Sequence, residues 1–388
     1  MLLPRFLGPS EFGFYSICFA MTSAYFTFLD FGLGQGIQLR VYSNPEGEKD
    51  NLKPYSLIRF WIGFIGTMMY GIVLYYTGTT SKNLIVSLCL LSILIISDQQ
   101  NILSIFLKSI NKFTLDLKIR LATSLISAAT ICGAALIARN ALTVSICCLV
   151  AFMFFYFSLK TIKDKLFLRS QNKVTDIILK KLLLTSVKTY IVSLFTIIFV
   201  NMDLFVANQN FSLSEIGMYS ASQKVLIVAQ LPVAIFGGVI YQAIAKDFLM
   251  LNQIWRKKMR YIFSILCLLS ISATIMMVFF CEEIGGFLFG KEFASAGVLI
   301  KNMAFGLIGF YFYPIFSLIL VLLNRIKGFV ISSFLLLGIN YALLNYAAKC
   351  YGLKGLAAMN SVANILIACF FGAIVYIEMN ANTEHKKI

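Results

Sequence analysis

Residues 10–16 read SEFGFYS, and residues 214–220 read SEIGMYS, the same phrase 204 positions further on. Carrying that offset along the chain also pairs Gly34 with Gly238 and Gln38 with Gln242. In both copies Ser-Glu precedes a long apolar run, the order expected where an N-cap residue and an acid meet the positive end of a helix dipole. The glycine suits a close turn, and the tyrosine suits the aromatic belt at a membrane surface.

The apolar runs are long enough to make that belt relevant. The chain has 388 residues, 59% hydrophobic and 13% charged, with a mean hydropathy of +0.84, more apolar material than a water-soluble core can bury. Runs of about 20 residues, enough to cross about 30 Å of hydrocarbon, recur throughout. They predict an all-α polytopic membrane protein of eleven spans, at 14–38, 55–77, 83–107, 117–137, 141–159, 182–206, 216–243, 260–281, 295–323, 328–348 and 355–378. Short alternating segments of a β-barrel are absent.

The formal net charge of +16 is distributed by side rather than by patch. Ends and loops on one side of this map carry 23 Lys and Arg and those on the other carry six, which places the C-terminus and the basic stretch 160–181 in the cytoplasm. The basicity is therefore topological and speaks against nucleic-acid binding. The same count puts the N-terminus outside with no signal-peptide pattern, and predicts an architecture lacking the first helix of a twelve-helix design. Nine cysteines lie scattered in apolar runs with no CxxC, and the one histidine is His385, so no metal site and no cofactor is expected.

Between the two copies of the phrase the chain crosses an even number of times, so both helices run in one direction. That is a parallel repeat of two bundles. The expected organisation is an N-terminal bundle at 1–165, a basic cytoplasmic linker at 166–181 and a C-terminal bundle at 182–388.

Residues 4–15, PRFLGPSEFGFY, resemble the RxLGPxxYGxY phrase of polysaccharide flippases, the Wzx-type members of the multidrug/oligosaccharidyl-lipid/polysaccharide exporter superfamily. Residues 29–33, LDFGL, followed by Arg40, are similar to that family's DFGL and cytoplasmic Arg. Asp203, residues 215–221 (EIGMYSA), Lys224 and Pro232 resemble the corresponding marks of the second half. The resemblance implies a flippase of the bacterial inner membrane. It would carry an undecaprenyl-diphosphate-linked oligosaccharide to the outer leaflet by alternating access, for O-antigen or capsule assembly, beside a polymerase and a chain-length regulator.

Charges at membrane depth are costly, about 2.5–3.5 kcal/mol each on insertion scales, and so mark protein interiors or watery cavities. Lys188 and Lys224 either line a pathway for an anionic head group or pair with a carboxylate such as Asp203. Arg40, Asp98 and Asn101 are further pathway candidates; Asp98 and Asn101 share a helix face that continues to Lys108. Asp30 and Asp203 are structural or coupling-ion candidates, with Asp30 expected to pair with a bundle lysine rather than to bind a coupling cation. Arg59 reads as a side chain snorkelling from its span's end. Asn340, Asn345, Asn360 and Asn364 suit either sugar hydroxyls or interhelical hydrogen bonds.

Gly32, Gly34 and Gly36 spell neither a phosphate loop nor, with Asp30 and Phe31, a kinase DFG, since no strand, Walker lysine or HRD accompanies them. With Gly237, Gly238 and Pro232 they are hinge candidates. Two competitors remain. A multidrug-type exporter would favour acids in its cavity, and a membrane polymerase would favour a large outer loop, where this chain offers only 282–294, without histidine.

Overall fold

The computed structural model describes residues 2–48, 51–167, 176–233, 253–290, 293, 296–322 and 326–384. Every described element is an α-helix or a short helical turn. Within these stretches the side chain of Lys188 lies outside the described set, and Gly237 and Gly238 lie outside the described residues altogether. So does most of the expected linker, at 168–175.

The chain forms two compact units, one of residues 6–201 and one of residues 202–388 with 1–5. In the first, α1 (Leu2–Asp30) carries a break at Gly8 (φ 76°), ahead of Pro9. A second break follows Asp30, where Phe31 (φ 46°) and Gly32 (φ 71°) are left-handed before α2 (Leu33–Ser43) begins. The short α3 (Pro45–Glu48) then turns the chain into α4 (Leu52–Tyr76) and α5 (Ser81–Ser109). The unit is completed by α6 (Phe113–Ala138), α7 (Ala141–Phe167) and most of α8 (Asp176–Asn210).

Six helices among the described residues are long and apolar enough to span a membrane, or seven if one bent pair counts as a span. Their outward faces fit that reading. On α4 Trp61, Ile65, Met68, Met69 and Ile72 are each more than half exposed, a stripe that costs little against lipid and would be prohibitive in water. Inward, α2, α4 and α5 share a core of Leu33, Ile37, Val41, Leu52, Tyr55, Ile102, Phe106 and Leu107. Glycine lets these helices approach closely: a Cβ on Gly66 of α4 would lie 2.3 Å from a methyl of Leu29.

The second unit contains the end of α8, α9 (Leu213–Ala229), α10 (Gln253–Phe279), α11 (Cys281–Phe289), α12 (Ala296–Ala304), α13 (Gly306–Leu322) and α14 (Ile326–Glu384). The 59-residue α14 is two helices merged across Gly352 (φ 64°, ψ −155°), at the gap between the last two expected spans. α12 and α13 meet at a 51° bend. The stretch expected as an outer loop, 282–294, is largely helical, as α11.

The repeated phrase does two different jobs. In the second copy Ser212, two residues earlier than expected, is the N-cap of α9 and forms a capping box with Glu215. In the first copy Glu11 caps a neighbour instead: its carboxylate accepts from the Ala141 backbone N–H at the start of α7 (3.0 Å) and pairs with Lys82 of α5 (2.6 Å). Tyr15 packs against the Cys18–Val86–Leu90 cluster, and Tyr219 is fully buried because its hydroxyl has a carboxylate to donate to.

Candidate functional site

Arg59 does not snorkel. It is buried in the first unit with its Nη2 on Asp30 Oδ1 (2.5 Å) and its Nε on Asp98 Oδ2 (2.5 Å), so α1, α4 and α5 meet in one charged triad. A snorkelling arginine needs a polar region within reach of its tip, whereas here two carboxylates on other helices satisfy it inside the protein. The helix break prepares the site. Asp30, the last residue of α1, also accepts from the Gly34 N–H (3.3 Å) at the start of α2. A Cβ on Gly34 would stand 2.6 Å from Arg59 Nη1, so this glycine makes room for the guanidinium. Gly36 is similarly filled from outside, by Ser186 Oγ at 2.1 Å from its would-be Cβ.

The polar run 97–101 is accounted for nearly residue by residue. Ser97 bonds back to Ile93 O, Asp98 holds Arg59, and Gln99 exchanges hydrogen bonds with Ser56 on α4. Gln100 Nε2 is buried without a partner among the described residues. Asn101 faces a cavity.

That cavity, about 510 Å³, lies wholly within the first unit. Its walls carry Asp30, Arg59 and Asp98 at one end, Gln35, Gln38 and Asn101 along the side, Tyr42, Lys108 and Arg120, and Ser193 and Thr196 from α8. Lys108 and Arg120 are arranged around Asp116, whose side chain is 7% exposed: Arg120 Nε at 3.3 Å, Lys108 Nζ at 3.8 Å. Arg120 also donates to Ser104 Oγ from Nε and Nη2. Lys108, expected to continue the face of Asn101, does so, because residues 98, 101, 105 and 108 of one helix follow the i+3/i+4 spacing.

Arg40 stands elsewhere, in a corner outside the spans. Its Nε and Nη2 donate to Glu48 Oε1, while Asn51 (2.9 Å) and the Tyr55 hydroxyl (2.5 Å) donate to Glu48 Oε2. Burial pushes the Glu48 carboxyl upward, but these hydrogen bonds and the Arg40 charge outweigh it and hold it below its ordinary value.

In the second unit Asp203 is buried and ringed by neutral donors. The Leu204 N–H (2.8 Å), Tyr219 Oη (2.7 Å), Gln223 Nε2 (2.5 Å) and Asn360 Nδ2 all donate to it. Asn364 in turn donates to Asn360 Oδ1 (2.7 Å), and Asn210 to Asn345 Oδ1 (3.2 Å), so these amides tie helices together. Lys224 is half-buried on α9, and Pro232 lies just beyond that helix. Among the described residues no group of His, Cys, Asp and Glu is arranged to hold a metal.

The structure brings Asp30, Asp98 and Asn101 to one cavity with Arg59, which pairs inside the protein instead of snorkelling. Gln35, Gln38, Tyr42 and Arg120, none of them a pathway candidate in the sequence, line it as well. The signal for the first two was their spacing with Asp30 and Gly34 on adjoining turns; for Arg120 it was the Asp-x-x-x-Arg pair, Asp116 to Arg120.

A family model described as "Polysaccharide biosynthesis protein" matches residues 1–248. No curated protein matches the chain. Among solved structures, an inward-facing multidrug resistance MATE family transporter of the MOP superfamily superposes with a TM-score of 0.70 at 11% identity, over 98% of each chain. A MOP superfamily transporter from Pyrococcus furiosus, described as having a binding pocket of reverse polarity, gives 0.66 at 13% identity, over 97% of this chain and 89% of that one. Lipid II flippase MurJ, in an inward closed conformation, gives 0.61 at 17% identity, over 95% and 86%. At such identities the likeness is one of fold.

Proposed function

We propose, the chain being a member of the polysaccharide biosynthesis protein family, that it is a flippase for an undecaprenyl-diphosphate-linked oligosaccharide. It takes the head group from the cytoplasmic leaflet of the bacterial inner membrane and delivers it to the outer leaflet by alternating access, feeding O-antigen or capsule assembly. A polymerase and a chain-length regulator are its expected partners, and its C-terminus is cytoplasmic. The multi-pass architecture and the transporter fold are the frame for this reading.

The observation that carries it is the cavity of the first unit, whose amides, hydroxyls and charges are carried largely on helices long and apolar enough to span a membrane. Such groups are retained in hydrocarbon only where they meet protein, water or a polar cargo. Hydroxyl-rich sugars suit Gln35, Gln38 and Asn101; a diphosphate suits Lys and Arg. Lys188 and Lys224 are proposed as further pathway residues.

Multidrug-type export is the competing reading, and one observation favours it: two carboxylates share a single guanidinium, which leaves one formal negative charge at that end of the cavity. Deleting the gene in its host separates the two. The expected result is loss of surface polysaccharide, accumulation of the lipid-linked repeat unit, and unchanged sensitivity to cationic dyes; restoring the wild-type gene reverses it, and Lys224→Ala reverses it only partly. Normal polysaccharide with raised dye sensitivity would favour export and overturn the flippase.

A further inference from the structure

The cavity of the first unit has two charged ends of opposite sign. At one, Arg59 lies between Asp30 and Asp98, one cation to two carboxylates, a formal charge of −1. At the other, Lys108 and Arg120 share Asp116, two cations to one carboxylate, a formal charge of +1. Asp98 and Lys108 are ten residues apart on α5, about 15 Å along the helix.

The two ends also differ in what their cations can still offer. Arg59 is 6% exposed at its side chain and has a carboxylate on each of two edges, so an incoming anion would have to displace one. The side chains of Lys108 and Arg120 are 39% and 49% exposed, and both line the cavity. Asp116 is buried and is not part of the lining; it supports the two cations from behind. Ser104 fixes the guanidinium further, accepting from two of its nitrogens. A positioned guanidinium with an ammonium beside it is a donor set for phosphate oxygens.

Resting on the flippase reading, we infer that Lys108 and Arg120, on their Asp116 support, form a diphosphate subsite. The head group then lies in one orientation, with its phosphates at this basic end and its sugars toward Gln35, Asn101 and the Arg59 triad. The triad's negative charge disfavours the reverse orientation. The basic end joins α5 to α6 at a turn whose lysines mark the cytoplasmic side by charge asymmetry, so the phosphates stay near the leaflet from which the lipid tail enters.

The test uses the full chain in lipid nanodiscs, titrated with undecaprenyl diphosphate and, separately, with inorganic pyrophosphate. The wild type is expected to bind the lipid diphosphate. Lys108→Gln combined with Arg120→Gln is expected to weaken that binding at least tenfold. Lys349→Gln, which loses one charge as Lys108→Gln does but at an exposed site far along the chain, is expected to leave it unchanged. Lys108→Gln alone, at a half-exposed side chain, should weaken binding at least threefold, and it carries the test if the double variant fails to fold. Equal affinity in wild type and variants overturns the subsite and leaves the flippase reading standing. Binding of pyrophosphate but not of the lipid, lost in the variants, supports a subsite for a soluble diphosphate and sinks the flippase reading. No binding of either probe by the wild type overturns both.

Discussion

Arg59 binds three helices through one guanidinium, and its worth is set by what its removal would leave. Breaking a buried ion pair from one side typically costs about 3–5 kcal/mol, because the remaining charge has lost both partner and water. Arg59→Ala strands two carboxylates and should lower the thermal midpoint of the detergent-solubilised protein by many degrees. Adding Asp30→Asn and Asp98→Asn should recover much of that loss, since the stranded charges are then gone. A midpoint unmoved by Arg59→Ala would show that the triad contributes nothing to stability. The partners of Arg59 lie 29 residues before it and 39 after it, on separate helices, which is why the arginine read as a snorkelling side chain. Nothing local in residues 57–61, LIRFW, distinguishes the two fates. Asp98 and Asn101 were legible for the opposite reason: a polar run inside an apolar helix is anomalous whatever its neighbours are.

At the scale of elements, the α2–α3–α4 corner is held by Glu48, which gathers Arg40, Asn51 and Tyr55. Its carboxyl is held below the ordinary value of 4.5, so it contributes stability that is present above that value and is lost as pH falls through the folded one. Thermal midpoints measured from neutral pH downward should therefore fall below about pH 4.5 in the wild type and fall less steeply in Glu48→Gln. Parallel curves would remove Glu48 from the acid response. The repeated phrase belongs to this scale too. Its recurrence marked two helix starts in the sequence, yet the roles of its acid differ. Glu215 completes a capping box on its own helix, whereas Glu11, following the Gly8 break, reaches the first turn of α7. Local sequence can announce a cap, but which helix receives it depends on packing between segments 130 residues apart.

At the scale of the whole molecule, the span map was readable because hydrocarbon thickness imposes a length on each helix that composition alone reveals. A break at Gly352 between the last two spans agrees with that map, whereas the two compact units divide after Asn201, inside the sixth expected span. The interior was far less legible. Asp203, a structural or coupling-ion candidate in the sequence, collects neutral donors from Tyr219, Gln223 and Asn360, an arrangement made by three-dimensional proximity of α8, α9 and α14. The polar cavity joins residues from six helices, and no single stretch of sequence contains it.

The central claim is that this chain moves a diphosphate-linked glycan across a bilayer by way of that cavity. The most direct measurement is transbilayer movement of a fluorescent undecaprenyl-diphosphate-linked oligosaccharide in vesicles reconstituted with the purified protein, read by quenching of outer-leaflet label. Movement well above protein-free vesicles is expected with the wild type, and a large loss of rate with Lys108→Gln/Arg120→Gln. Movement no faster than in protein-free vesicles, with folded wild-type protein present under an imposed membrane potential and ion gradients, would contradict it.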